Sequence, residues 1–166
     1  MIFATTDLSA IKVDPDSFFE FSYRATIQAM VDAVMAAEAP VREDVIAQRV
    51  ARAHGWLRTG ARIREQIALH LRGLDRTEET SGTFLWNPGS AGPRVPFRRP
   101  QGPDHRRSLA EISIAELADF VISHRAVLEE EDPPLVYARL MQVERLAAPS
   151  RERLQEAISY ARTLGV

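Results

Sequence analysis

A chain of 166 residues with 45% hydrophobic and 27% charged residues suffices for one ordinary domain or two small helical units, and this composition excludes wholesale disorder. The absence of cysteine excludes disulfide frameworks, thiolate metal sites and cysteine nucleophiles. A net charge of −2 argues against a protein that coats nucleic acid by bulk charge alone.

The distribution of that charge is uneven. Residues 40–110 hold 13 arginines against 7 acidic residues, a balance of +6, while the remainder holds 8 basic against 16 acidic residues, a balance of −8. Basic charge gathered in the middle third is what a local nucleic-acid footprint requires. Arginine outnumbers lysine twenty to one, however, a bias that genome base composition produces without selection for phosphate binding. The N-terminal stretch "MIFATTDLSAIKVDPD" lacks a basic region followed by a sustained apolar core, and no apolar run approaches the roughly 18 residues of a membrane span. A cytoplasmic protein is the expectation.

In chain order, Asp14-Pro15 suggests the start of a helix, with Asp as cap and Pro in the first turn. From Tyr23 the pattern strengthens: Ile27, Met30, Val31, Val34 and Met35 recur at the spacing of a helix with one buried face, which Pro40 ends. The next run, "VREDVIAQRVARAHG", keeps Val45, Ile46, Val50 and Ala53 on one side, carries Glu43 and Asp44 in its first turn and stops at Gly55. A third helix follows Thr59, a candidate N-cap, with Ile63, Ile67, Leu71 and Leu74 as its apolar stripe.

After Leu74 the period changes. "DRTEET", "SG" and "TFLW" read as strand, two-residue turn and strand. Residues 87–107, with five prolines and three glycines, read as a loop or linker that also carries Arg94, Arg98, Arg99, Arg106 and Arg107. A second helical part begins near Ser113. Ile114, Leu117, Phe120 and Val121 share a face there, and Ser113 with Glu116 has the spacing of a capping box. Pro133-Pro134 breaks the chain before "LVYARLMQVERLA". The closing helix takes Ser150 as candidate cap and Leu154, Ile158 and Leu164 as buried residues. Helix, proline break, helix, loop and arginine-rich helix thus recur at an offset of 90 to 91 residues, a pattern open to internal duplication.

The predicted fold class is mainly α with a small β-hairpin. An N-terminal extension (residues 1–22) precedes a winged-helix-like three-helix unit (23–90), a Pro/Gly/Arg-rich linker (91–112) and a C-terminal helical unit (113–166).

The segments "EAPVREDVIAQRVARAHGWLRTGARIREQI" and "GTFLWNPG" carry a resemblance. With Arg-Thr-Gly-x-Arg-Ile at Arg58 to Ile63 and an aromatic strand at Phe84 to Trp86, residues 20–100 resemble the uncharacterised C-terminal winged-helix-like domain of large bacterial superfamily I DNA helicases. Those proteins often also carry a Vsr-like endonuclease domain. The resemblance implies a setting in DNA metabolism or defence against foreign DNA. The chain has no Gly-x-x-x-x-Gly-Lys-[Ser/Thr] loop and no room for two motor domains, so helicase activity does not transfer to it.

In a winged helix, Thr59 and Gly60 would place free backbone N–H groups beside Arg58 and Arg62, a site fit for phosphate. Arg62, Arg64 and His70 would project from the third helix, and Arg76 would add a contact at the wing base. The plainer alternative has these arginines solvating the helix or pairing with Glu65, Glu43 and Asp44. Glu78 and Glu79 on the wing repel phosphate. Phe84, Trp86 and Trp56 read as core and turn packing. Arg98 and Arg99 either track a flexible strand by charge or are simply solvated. The run Glu129 to Asp132 reads as an exposed loop or as a surface that docks on the basic centre of the same or a neighbouring molecule. His54, His70, His105 and His124 show no metal-ligand or nucleophile spacing.

The expectation is therefore a non-enzymatic accessory module without metal or cofactor and without a membrane. It binds nucleic acid, DNA foremost, through Arg58, Thr59, Gly60, Arg62, Arg64, Arg76, Arg98 and Arg99. The alternative is a protein–protein module that docks a helicase or nuclease, or self-associates as a homo-oligomer.

Overall fold

Six α-helices and five short strands make up the computed structural model, which describes residues 1–165. The chain divides into two units, one of residues 4–78 and 82–91, the other of residues 1–3 and 79–81 together with the chain from Gly92 onward. Mainly α with a small β component is the fold class observed. No helix among the described residues is long and apolar enough to cross a membrane.

In the first unit the order is α1 (Arg24–Glu38), β2 (Val41–Arg42), α2 (Glu43–Ala53), α3 (Ala61–Ala68), β3 (Asp75–Glu79) and β4 (Gly82–Trp86), with β1 (Ile2–Phe3) assigned to the other unit. The five apolar residues predicted for α1 are all buried, as are Val45, Ile46 and Val50 of α2 and Ile67 and Leu71 of the third stripe. Helical hydrogen bonding stops at Ala68, so Leu71 and Leu74 meet the core from the turns that follow. Strand β2 was not foreseen. Two residues are too few for a period, yet Val41 and Arg42 pair antiparallel with Leu85 and Phe84, giving a three-stranded sheet in the order β2-β4-β3. The hairpin turn falls one residue earlier than expected, at Thr80-Ser81. Gly82 opens β4 at φ +130°, where a Cβ would stand 3.0 Å from Arg42 Cδ, so both conformation and space select glycine.

Of the N-terminal stretch expected as an extension, residues 1–22, residues 4–22 belong to this unit. Asp14-Pro15 starts no α-helix. The Asp14 carboxylate instead accepts from the Asp16 N–H (3.2 Å) and the Ser17 hydroxyl (2.8 Å), closing a tight turn. Two buried polar groups then anchor the segment. The Tyr23 hydroxyl accepts from the Asp14 N–H (2.9 Å) and donates to His54 Nε2 (2.8 Å), while His54 Nδ1 donates to the Val50 carbonyl (2.7 Å). Glu38, 1% exposed, accepts from the Thr6 N–H and hydroxyl and from Arg49. Leu8 and Phe18 are buried in the same core.

The second unit contains β1 (Ile2–Phe3), β5 (Arg99–Pro100), α4 (Ile114–Ser123), α5 (Pro133–Leu140) and α6 (Ala148–Thr163). Helices α4 and α5 begin 90 residues after α1 and α2, and α6 begins 87 after α3. The pattern "SxxE" occurs twice in succession, and the structure uses its copies differently. Ser108 and Glu111 form the reciprocal capping box, around a 3-10 turn. Ser113 caps Glu116 N (3.3 Å), but the expected return bond from Glu116 is absent because that carboxylate turns inward. Asp132 caps α5, whose first residues are the two prolines. Helix α6 starts at Ala148 with Pro149 in its first turn, so Ser150 lies inside the helix and is not its cap. Leu154 and Ile158 are buried as predicted, but Leu164 is exposed because it follows the last helical turn.

Two arginines of the arginine-rich stretch, Arg98 and Arg107, lie in this unit's interior. Glu116, 0% exposed, receives Arg98 (2.8 Å) and Arg107 (2.6 Å). Both guanidiniums lie over the Phe3 ring, at 5.4 and 4.1 Å, and β1 pairs in parallel with β5 beside them. Arg94 holds Asp119 at 2.5 Å. Burial pushes the Glu116 carboxyl up, but hydrogen bonds and charge from Arg107 and then Arg98 outweigh it and hold the group below the usual range.

Two stability predictions follow from these buried groups. Replacing Tyr23 by Phe strands His54 Nε2 and the Asp14 amide, and lowers unfolding free energy by about 1–3 kcal/mol in urea titrations. A loss below ~0.5 kcal/mol would show that the network carries no stability. Glu116→Gln leaves two guanidiniums facing a neutral amide and costs about 3–5 kcal/mol. Because the folded carboxyl titrates below the unfolded one, its contribution is complete above the unfolded value of about 4.3 and is lost as pH falls through the folded value. Wild-type stability therefore declines more steeply than that of the variant below about pH 4.

Candidate nucleic-acid interface

The surface around α3 is set by how α2 ends. Gly55 takes φ +78°, and the Gly55 and Trp56 amides bond back to the Arg52 (2.9 Å) and Ala51 (3.0 Å) carbonyls, the pattern of a Schellman motif. Trp56 then stacks nearly parallel on His54, with centroids 4.9 Å apart, and meets the edge of Phe18 at the same distance. With that aromatic anchor fixed, residues 57–60 run over the surface and Leu57 is 83% exposed.

Helix α3 turns Ile63 and Ile67 inward and leaves Arg62, Arg64 and Glu65 exposed. Its N-cap is Gly60, not Thr59, and no side chain caps it, so the first amides stay available to an outside acceptor. A Cβ on Gly60 would meet nothing within 4 Å, which leaves the space above the helix start open. Thr59 is half-buried, and its carbonyl accepts from Arg64 Nη1 (2.9 Å), which folds that arginine back over the loop. Arg58 is exposed and makes no side-chain bond among the described residues. The Arg62 guanidinium lies 4.7 Å from the centre of the Phe19 ring.

The other expected contacts are placed differently. Arg76 is paired with Glu43 at 3.1 Å, and Asp44 is occupied by Arg42 at 2.5 Å. The pairing alternative thus holds for Arg76, while Arg58 and Arg62 have no carboxylate partner among the described residues. Arg98 and Arg99 belong to the other unit. Arg98 is buried against Glu116 and Arg99 is exposed on β5, so neither joins the group at α3 within its unit. His70 Nδ1 bonds to Gln28 Oε1 (3.0 Å), and burial followed by the Arg24 charge lowers its pKa. On the hairpin Glu78 accepts from Thr83, and Glu79 accepts from the Ile114 amide and pairs with Arg153. Phe84 and Trp86 are core, as predicted.

Sequence reading missed the aromatic half of this surface. Phe19 is 47% and Phe21 79% exposed, and Arg24 lies 4.8 Å from the Phe21 ring centre. The available signal was "FFEF", a run dense in aromatics just before the α1 period begins, in which Phe18 alone is buried. Two rings with overlying guanidiniums present both stacking faces and positive charge.

Comparison with known proteins gives one family match, to a group described as a protein of unknown function (DUF3320), over residues 16–65. The matched segment runs from the turn before Phe18 through α1 and α2 into α3. No curated protein and no solved structure matches the chain.

Proposed function

We propose that the first unit is a nucleic-acid-binding module that contacts mainly phosphates through the start of α3. The observation that carries this reading is the grouping of uncompensated arginines, Arg58 and Arg62, with the open N-terminus of α3 and the exposed Phe19 ring beneath Arg62. Helix dipole and free amides favour an anion at that point, and the ring offers a stacking face to an unpaired base. The helix–strand–helix–helix–strand–strand order with sheet β2-β4-β3 supports a winged-helix reading, in which α3 is the recognition helix. The resemblance of residues 20–100 to the C-terminal domains of superfamily I helicases favours DNA and an accessory role beside a helicase or nuclease. The hairpin contributes little, since Arg76 is paired and Glu78 and Glu79 are acidic.

A protein-docking surface is the second reading, favoured by the exposure of Phe21 and Leu57. The two readings differ in their response to salt. In fluorescence anisotropy with unrelated single- and double-stranded DNA, a phosphate-directed site loses affinity steeply between about 50 and 200 mM salt. Arg58→Ala/Arg62→Ala reduces the salt slope by about 2, one for each phosphate contact. Phe19→Ala weakens single-stranded binding by about 1–3 kcal/mol and duplex binding less. Absence of binding at low salt, or binding unchanged in the double variant, overturns the reading, and sedimentation of the same samples then reports self-association.

A further inference from the structure

The second unit contains a cleft of about 390 Å³ between the loop carrying Arg98, Arg106 and Arg107 and the connection from α5 to α6. That volume lies within the range of about 300–1,000 Å³ typical of small-molecule sites. Its walls are apolar where Phe97, Leu109, Ile112, Met141 and Val143 contribute, and strongly basic elsewhere.

The charge there is unbalanced. Arg98, Arg106, Arg107 and Arg145 line the cleft, while the carboxylates are Glu144 on its wall and Glu116 buried behind Arg98 and Arg107. Four guanidiniums against two carboxylates leave an excess of two positive charges. Two of these arginines are fixed in place: the side chains of Arg98 and Arg107 are 10% and 7% exposed and locked by Glu116. The other two face solvent. Arg106 reaches Glu144 only at 3.5 Å, and that carboxylate is 89% exposed, a pairing worth little in water. Arg145 has no side-chain partner among the described residues.

A second observation lies on the opposite wall. Helix α5 ends with Gln142 N–H on the Arg139 carbonyl (3.0 Å) and Val143 N–H on the Ala138 carbonyl (2.9 Å), which puts Gln142 at the position where glycine is usual. Gln142 adopts φ 57°, a left-handed conformation that costs a residue with a side chain more than it costs glycine. That side chain lines the cleft, with its Oε1 3.4 Å from Arg106 Nη2.

From this geometry we infer that the cleft binds a phosphate monoester carried on a planar or apolar body of about mononucleotide size. A monoester at neutral pH carries roughly −1.5 to −2 charges, matching the excess, and offers three acceptor oxygens to the solvent-facing Arg106 and Arg145. The apolar wall receives the body of the molecule. The site lies wholly in the second unit and does not depend on the α3 surface.

Calorimetric titration of the full chain with adenosine monophosphate, phenyl phosphate, adenosine and inorganic phosphate tests this assignment. At least one of the two monoesters binds saturably and at least tenfold more tightly than adenosine or inorganic phosphate. Arg106→Ala/Arg145→Ala, both solvent-facing and expected to fold, weakens that binding tenfold or more and leaves DNA anisotropy unchanged. Failure of both monoesters to bind overturns the inference. So does inorganic phosphate binding as tightly as the monoesters, which would reduce the cleft to an unselective anion patch, and so does binding indifferent to the double variant. Loss of DNA binding by Arg58→Ala/Arg62→Ala with monoester binding intact separates the two sites.

Discussion

One carboxylate with no solvent exposure, that of Glu116, decides the form of the second unit. A buried charge is tolerable only if it is paired and hydrogen-bonded, and the partners Arg98 and Arg107 come from a stretch that has almost no regular structure of its own. Their capture fixes that stretch. The Phe3 ring covers both guanidiniums, and the β1–β5 ladder forms beside it. Five prolines and three glycines between residues 87 and 107 keep the segment out of helix and long strand, so its order rests on these ion pairs and on Phe97, whose ring packs 4.6 Å from that of Phe120.

The first unit solves the same problem at smaller scale. Glu38 is buried with Arg49 and Thr6, and His54 with Tyr23. Each network joins a helix to the irregular segment before α1. Phe18, placed by that segment, is one wall of the aromatic cluster that holds Trp56, and Trp56 sets where the chain leaves α2 for α3. The exposed loop at Arg58 therefore depends on interior contacts from residues forty positions upstream.

These long-range pairings mark the boundary of what sequence reveals. Helices α1 to α4 were legible because burial of one face imposes a period, and the hairpin because the period changes at Leu74. The two-residue strands were not, since their pairing is specified by partners elsewhere in the chain. Glu116 is the instructive miss. "SLAE" and "SIAE" have the same local pattern, and the capping-box reading applies equally to both, but only Ser108-Glu111 completes it. The difference lies in Arg98 and Arg107, which compete for the second glutamate with stronger, charge-assisted bonds. The exposed rings at Phe19 and Phe21 escaped for the opposite reason. Aromatic residues read as core by default, and only the structure shows which face of a run is left outside.

The same reasoning changes what arginine content means in this chain. Thirteen arginines between residues 40 and 110 suggest one basic footprint, yet Arg42, Arg49, Arg76, Arg94, Arg98 and Arg107 each hold a carboxylate closely and Arg106 faces Glu144 at 3.5 Å. Charge committed to an internal partner contributes little to the field outside, particularly beyond the Debye length of about 8 Å at physiological salt. Outside these pairs, Arg58 and Arg62 stand at an uncapped helix start, while Arg106, with only a long and exposed pairing to Glu144, and Arg145 stand at the mouth of a cleft. The charge such a chain presents to its surroundings is thus set by the few guanidiniums that the fold leaves without a close carboxylate, and net charge, whether of the chain or of its middle third, is a poor measure of it.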